Sequence, residues 1–259
     1  MESGKLTAQP LSLSEFWQSP FRELLAYPHG DLESLDKRYQ ELKAQAVDAI
    51  YNFGPQSLKG FHLLGAGYCG LVFLAQWRGA LIALKVRRLT APRSSFDHEA
   101  AMLAIANQAG IGPHYLGHSQ NFLRMGYLSG PSLFSWVQTR LAIKTWHHTL
   151  RLLLEQAYQL DQIGLDHGNL GCATEHVIIS PQGPAIIDFS SASTQRRPAN
   201  VTSLIQGLFI GSQIALALRA QALSPSITKA ALIEQLRSYK HHPGHAQFDR
   251  LLHTLSNSE

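Results

Sequence analysis

Residues 65–86 read GAGYCGLVFLAQWRGALIALKV, a glycine-rich turn followed by two apolar segments that meet at Arg78-Gly79. Apolar side chains recur with a period of two, which predicts consecutive antiparallel strands. The opening Gly65-Ala66-Gly67-Tyr68-Cys69-Gly70 fits the pattern GxGxxG. Glycines so spaced let backbone amides approach phosphate oxygens. A dinucleotide fold, however, needs the motif to open a helix and an acidic residue to follow about 20 positions later. Here a strand follows, and the residue twenty positions after Gly65 is Lys85.

The flanks extend this pattern. FHLL from Phe61 adds a strand before the turn, residues 95–109 (SFDHEAAMLAIANQA) have helical spacing up to Gly110, and residues 122–127 form another short strand. Helix is expected after Pro131, with a break near Lys144 and a second helix over residues 145–163 stopped by Gly164. VIIS and AIID flank the turn PQGP, and helices are expected after Asn200. The most apolar stretch, residues 204–218, is interrupted by Gln206, Gly207, Gly211, Ser212 and Gln213. It falls short of the roughly 20 residues a membrane span needs and reads as one buried helix. Strands first and helices later give an α+β, two-lobed layout.

The first 54 residues differ in character. Ser19-Pro20 is an N-cap with proline at the first helical position, opening a short helix that Pro28 and Gly30 close. Asp31 starts a longer one, whose stripe Leu32, Leu35, Tyr39, Leu42, Ala46, Ile50 runs up to Gly54-Pro55. The expected organisation is a helical extension over 1–54 docked on the body, a strand-rich part over 55–130 and a helical part over 131–259.

Composition limits the functional classes. Hydrophobic residues at 45% and charged residues at 15% suit a chain with a real core, not a disordered one. Cys69 and Cys172 are the only cysteines, and residues 1–12 hold no apolar run, so a cytoplasmic protein without a disulfide framework is expected. Residues 1–54 carry five basic and eight acidic side chains, which leaves the rest at net +7. That balance suits a phosphorylated ligand. No Lys/Arg run with interleaved aromatics points to nucleic acid. His98-Glu99 does not complete HExxH, and His241, His242 and His245 have no cysteine nearby, so zinc is not expected.

Taken in order, the motifs resemble the protein-kinase-like superfamily. They are GxGxxGxV from Gly65 to Val72, Ala83-Leu84-Lys85 on the next strand, and Glu99 on the following helix. NFLRMGYLSGPSL from Asn121, LDHGNLGCATEHVII from Leu165 and IIDFSSAS from Ile186 complete the set. Within it the chain especially resembles small, atypical prokaryotic Ser/Thr kinases related to the RIO-type and Bud-type enzymes, from about residue 58 onward. The resemblance implies a two-lobed protein-kinase-like fold in which Gly65, Gly67, Gly70 and Val72 cover the phosphates of ATP. Lys85 would contact the α and β phosphates while pairing with Glu99, and Met125 and Tyr127 would lie in the adenine hinge. Asp188, in DFS where most kinases have DFG, would hold Mg²⁺, or Mn²⁺ in its place.

Two departures bear on catalysis. His167-Gly168-Asn169 stands where a kinase has His-x-Asp, and an amide cannot take up a hydroxyl proton near neutral pH. Asp166 is either a substitute base or a structural carboxylate bonding loop amides. His176, seven positions after Asn169, is either a metal ligand, better suited to Mn²⁺ or Zn²⁺ than to Mg²⁺, or a hydrogen-bonding group behind the site. Only 71 residues follow Asp188 and no Ala-Pro-Glu segment is present, which implies a reduced C-lobe. The expected activity is ATP-dependent phosphoryl transfer to a Ser/Thr hydroxyl of a protein. A nucleotide-binding pseudokinase and a small-molecule kinase of the aminoglycoside or sugar type are the alternatives.

Overall fold

The computed structural model describes residues 10–256. Residues 1–9 of the expected N-terminal extension lie outside them. The chain is mixed α+β and divides into two compact units, Met1–Ala101 with His114–Tyr127, and Met102–Pro113 with Leu128–Glu259.

The first unit opens with β1 (Pro10–Ser12), α1 (Leu13–Gln18), a 3-10 helix Pro20–Ala26 and α2 (Leu32–Ala44). Ser12 and Glu15 close a capping box on α1, Ser19 caps the 3-10 helix with Pro20 at its start, and Asp31 caps α2. Strands follow: β2 (Val47–Tyr51), β3 (Gln56–Leu58), β4 (Phe61–Leu63), β5 (Gly65–Ala66), β6 (Gly70–Trp77) and β7 (Ala80–Arg87). Helix α3 (Asp97–Gln108), β8 (Tyr115–His118) and β9 (Phe122–Gly126) complete this part of the chain. The main sheet is antiparallel in the order β1-β2-β6-β7-β9-β8, with β5 also paired to β6.

The helical reading of residues 45–51 is corrected here. Helix α2 stops at Ala44, Ala46 takes a left-handed φ of 53°, and Ile50 belongs to strand β2 between β1 and β6. Leu32 is 74% exposed, so the stripe begins one turn later than its spacing suggests. The docking itself is present. Phe16, Leu24, Leu25, Leu35 and Leu42 share one core with Phe61, Leu71, Phe73, Ile82, Leu84, Val86 and Phe122. Phe16, Phe61 and Phe73 meet edge-on or tilted at 5.8–6.2 Å, the geometry aromatic quadrupoles prefer. Each such side chain contributes about 2–3 kcal/mol by leaving water.

A polar knot adds to this core. Arg38, 3% exposed, donates to Leu25 O, Arg87 O and Asn121 Oδ1, while Glu41 accepts from Ser119 Oγ, Asn121 N and Asn121 Nδ2. Burial is the main force pulling the Arg38 guanidinium down to about 10, and the neighbouring Arg87 adds to it.

The second unit contains α4 (Leu133–Val137), α5 (Ile143–Gln162), a 3-10 turn Leu170–Cys172 and α6 (Ala173–His176). The hairpin β10 (Val177–Ser180) and β11 (Gly183–Ile186) and a 3-10 turn Phe189–Ser191 follow. Last come α7 (Asn200–Phe209), α8 (Gln213–Ala220), α9 (Lys229–His241) and α10 (His245–Ser256). Trp146, Leu150, Leu153, Leu154, Ala157 and Leu160 recur at three- and four-residue spacing along α5 and are buried. The single helix expected over residues 204–218 is two, α7 and α8, bent by 59° at the Gly211 break. Among the described residues no single helix is long and apolar enough to cross a membrane.

Candidate active site

Strand register places the sequence-derived residues of the first unit. Gly65 lies opposite Val72, Val72 opposite Lys85, and Lys85 opposite Leu123; Gly70 lies opposite Arg87 and Ala83 opposite Met125. Directly paired residues, and those two apart on a strand, point to one face of a sheet. Gly65, Gly70, Val72, Lys85 and Met125 therefore share a face, while Leu71, Phe73, Ile82, Leu84 and Val86 line the opposite, core-filling face. Tyr127 follows β9 and is half-buried, and burial pushes its phenol up.

On the shared face Lys85 Nζ donates to Glu99 Oε1 at 2.6 Å. Both residues are only 4% exposed. Two charges taken out of water recover little net stability from their attraction, so a buried pair of this kind is weak support for a purely structural role. The glycine segment is a hairpin closed by Gly67 N–H donating to Gly70 O at 2.9 Å, with Tyr68 and Cys69 at its tip. A Cβ on Gly70 would lie 2.7 Å from Val86 O and 3.2 Å from Lys85 Cγ, so only glycine lets β6 pass this close to the lysine. A Cβ on Gly65 or Gly67 would meet nothing nearer than 3.9 Å, so the space on that side of each glycine is open.

In the second unit the loop that carries Asp166, His167 and Asn169 is set by a polar hub that sequence reading missed. Asp161 of α5 accepts from Asn200 N and Nδ2, Val201 N and the Tyr239 hydroxyl, all within 3.3 Å. Asn200 in turn donates to Leu165 O and accepts from His167 N at 2.8 Å each, fixing the 165–169 loop. Desolvation raises the Asp161 carboxyl, and these hydrogen bonds partly offset it. Asp161 and Asn200 stand 39 positions apart in sequence, in helices that carry other polar residues, so no local signal marks them as a pair.

Gly168 has a φ of +84°, and a Cβ there would sit 2.7 Å from Ser191 O, so the loop's middle position requires glycine. Asp166 Oδ2 accepts from Arg196 Nε at 2.8 Å and Oδ1 from Ala199 N at 3.3 Å, the geometry of the structural alternative. Asn169 Nδ2 donates to Ser191 Oγ at 3.0 Å. Asp188 follows β11 with a left-handed φ of 65°, unusual for a residue with a side chain, and its Oδ1 accepts from Ser190 N. The next residue, Phe189, packs edge-on against His167 at 5.1 Å. His176 lies with its ring centre 5.7 Å from that of His167. Among the described residues no group of three or more His, Cys, Asp or Glu side chains could hold a metal ion by itself. Mg²⁺ needs no such cage, since it is commonly held by one or two carboxylates with waters and phosphates, and Asp188 fits that donor set.

His167 is fully buried and donates from Nε2 to Ile187 O at 3.0 Å. Desolvation holds its imidazole down to about 4, below the ordinary histidine value of 6.5. The native state therefore binds fewer protons than the unfolded chain between these values, so stability should be full above pH 6.5 and fall as pH drops toward 4. Asp161, raised, opposes this above the ordinary aspartate value of 3.8. His167→Gln, which keeps a donor for Ile187 O, should flatten the acid limb of a denaturation series by about one proton's slope. An unchanged limb would contradict the buried neutral imidazole.

No family model matches the chain, and no curated protein matches it.

Proposed function

We propose that the chain is an ATP-dependent phosphotransferase built on a reduced, two-lobed protein-kinase-like fold. The observation that carries this reading is the buried Lys85–Glu99 pair on the sheet face that also presents Gly65, Gly70, Val72 and Met125. A strand lysine beside a glycine hairpin offers a fixed cation and exposed backbone to phosphate oxygens. In this reading Lys85 contacts the α and β phosphates, Glu99 holds the lysine in place, Met125 and Tyr127 flank the adenine, and Asp188 holds Mg²⁺ or Mn²⁺. ATP supplies the transferable γ-phosphoryl group, and the acceptor is a Ser/Thr hydroxyl.

A specific observation favours a second reading, a nucleotide-binding pseudokinase. Asp166 spends both carboxylate oxygens on Arg196 and Ala199, and Asn169 brings an amide to the position where a kinase has its base. Transfer assays with Mg²⁺ and Mn²⁺ on the wild type and Asn169→Asp separate the two. An enzyme limited by the missing base should gain one or more orders of magnitude, within the range of about 10²–10⁴ that a general base contributes. Nucleotide binding with no transfer in either protein identifies the pseudokinase. No rise in melting temperature at millimolar ATP with either metal would refute both, since a ligand at a hundred times its Kd adds about 2.7 kcal/mol.

A further inference from the structure

Arg88, just beyond β7, touches the glycine hairpin twice. Its Nη1 donates to Gly67 O at 2.9 Å and its backbone N–H donates to Cys69 O at 3.1 Å. A trans peptide is planar, with its oxygen and its hydrogen on opposite sides. The Tyr27-Pro28 bond is the only cis peptide among the described residues, so this holds throughout the hairpin. Directing the Gly67 and Cys69 carbonyls at Arg88 therefore turns the N–H groups of Tyr68 and Gly70 away from it. Carbonyl oxygens that would repel an anion are turned inward, and donors that would bind one are turned outward, which is how a run of backbone amides becomes an anion cradle.

Arg88 is itself held from the N-terminal segment. Its guanidinium lies 4.6 Å from the centre of the Tyr27 ring, and Leu89 N–H donates to Tyr27 O at 2.9 Å. The preceding residue is pinned as well, because Arg87 O accepts from the buried Arg38 of α2. The end of β7 thus cannot shift without disturbing residues 25–38, and the hairpin hangs from that end.

We propose that Arg88, clamped by Tyr27, is the positioning residue that shapes the 67–70 hairpin to receive the phosphates of a nucleotide, which makes the N-terminal segment part of the binding apparatus. This rests on the nucleotide-binding reading above, and it assigns Arg88 and Tyr27 roles that no motif of the sequence suggested.

The test pairs two measurements on the full chain. Amide hydrogen exchange at Gly67 and at residue 88, whose N–H groups donate to Gly70 O and Cys69 O, reads the hairpin directly, and titration with ATP·Mg²⁺ and with adenosine reads its consequence. Arg88→Ala should speed exchange at these amides and weaken ATP about tenfold, while leaving adenosine binding unchanged. Tyr27→Ala should do the same to a smaller degree, and Tyr27→Phe, which keeps the ring, should match the wild type. Arg88→Ala with wild-type exchange and wild-type ATP affinity overturns the proposal, as does an equal loss for ATP and adenosine, which would mark a general packing defect. If wild-type protein binds no nucleotide, the function proposed above has failed instead. Exchange in Arg88→Ala and Tyr27→Ala then still decides whether the tether exists. Should Arg88→Ala not fold, Tyr27→Ala against Tyr27→Phe carries the test alone.

Discussion

Lys85→Met is expected to abolish the rise in melting temperature that ATP and Mg²⁺ give the wild type, and Glu99→Ala to reduce it severely. Both variants should also lose stability, since each removes one partner of a buried pair. Removing the Glu99 carboxylate from beside a lysine that is 4% exposed should cost about 3 kcal/mol, because breaking a buried pair leaves a charge poorly compensated in low dielectric. Replacing both partners with apolar side chains of similar volume is often neutral or stabilising. The double variant Lys85→Met/Glu99→Leu should therefore regain most of the stability lost in Glu99→Ala while binding no nucleotide. Denaturant titration alongside nucleotide titration reads both quantities. A double variant that still binds ATP would remove the lysine from the site.

The second large effect belongs to Asp161. Asp161→Ala strips acceptors from Asn200 N and Nδ2, Val201 N and the Tyr239 hydroxyl at once. An unmet buried donor costs about 1–3 kcal/mol, so a loss of at least about 4 kcal/mol is expected, near the limit many domains tolerate. Tyr239→Phe removes one of the four donors along with its need for a partner and should cost far less, about 1 kcal/mol. The contrast is measurable by denaturation of the two variants side by side. If the protein survives, the 165–169 loop should loosen, visible as faster exchange at the His167 amide, whose partner is the Asn200 side chain.

Local signals carried most of the reading from sequence. The alternation in residues 71–86, the caps Ser19 and Asp31, and the long stripe of α5 each reside in one segment, and each became the expected element. Strand β2 was misread because Leu42, Ala46 and Ile50 keep helical spacing across a helix end. The break is made by the left-handed Ala46 and by pairing with β6, whose partner residues lie 23 to 30 positions away in sequence. Asp48, exposed between buried Val47 and Ala49, was the one period-two sign. The residues of the candidate site can be named from sequence, but their supports cannot. Glu41 with Asn121, Asp161 with Asn200, and Arg88 with Gly67 are joined across 21 to 80 positions, and no spacing rule relates such pairs.

Strand β2 also decides what a shortened chain would be. It occupies the flank of β6 from Leu74 to Trp77, with β1 outside it. A polypeptide starting at residue 55 would lay bare a row of unpaired backbone groups on β6, together with the aromatic face that Phe16 and Leu25 now cover. Such a row is a template for strands of other molecules. Removing residues 1–54 would thus not trim an appendage from a self-sufficient module; it would open β6 to intermolecular strand pairing and aggregation.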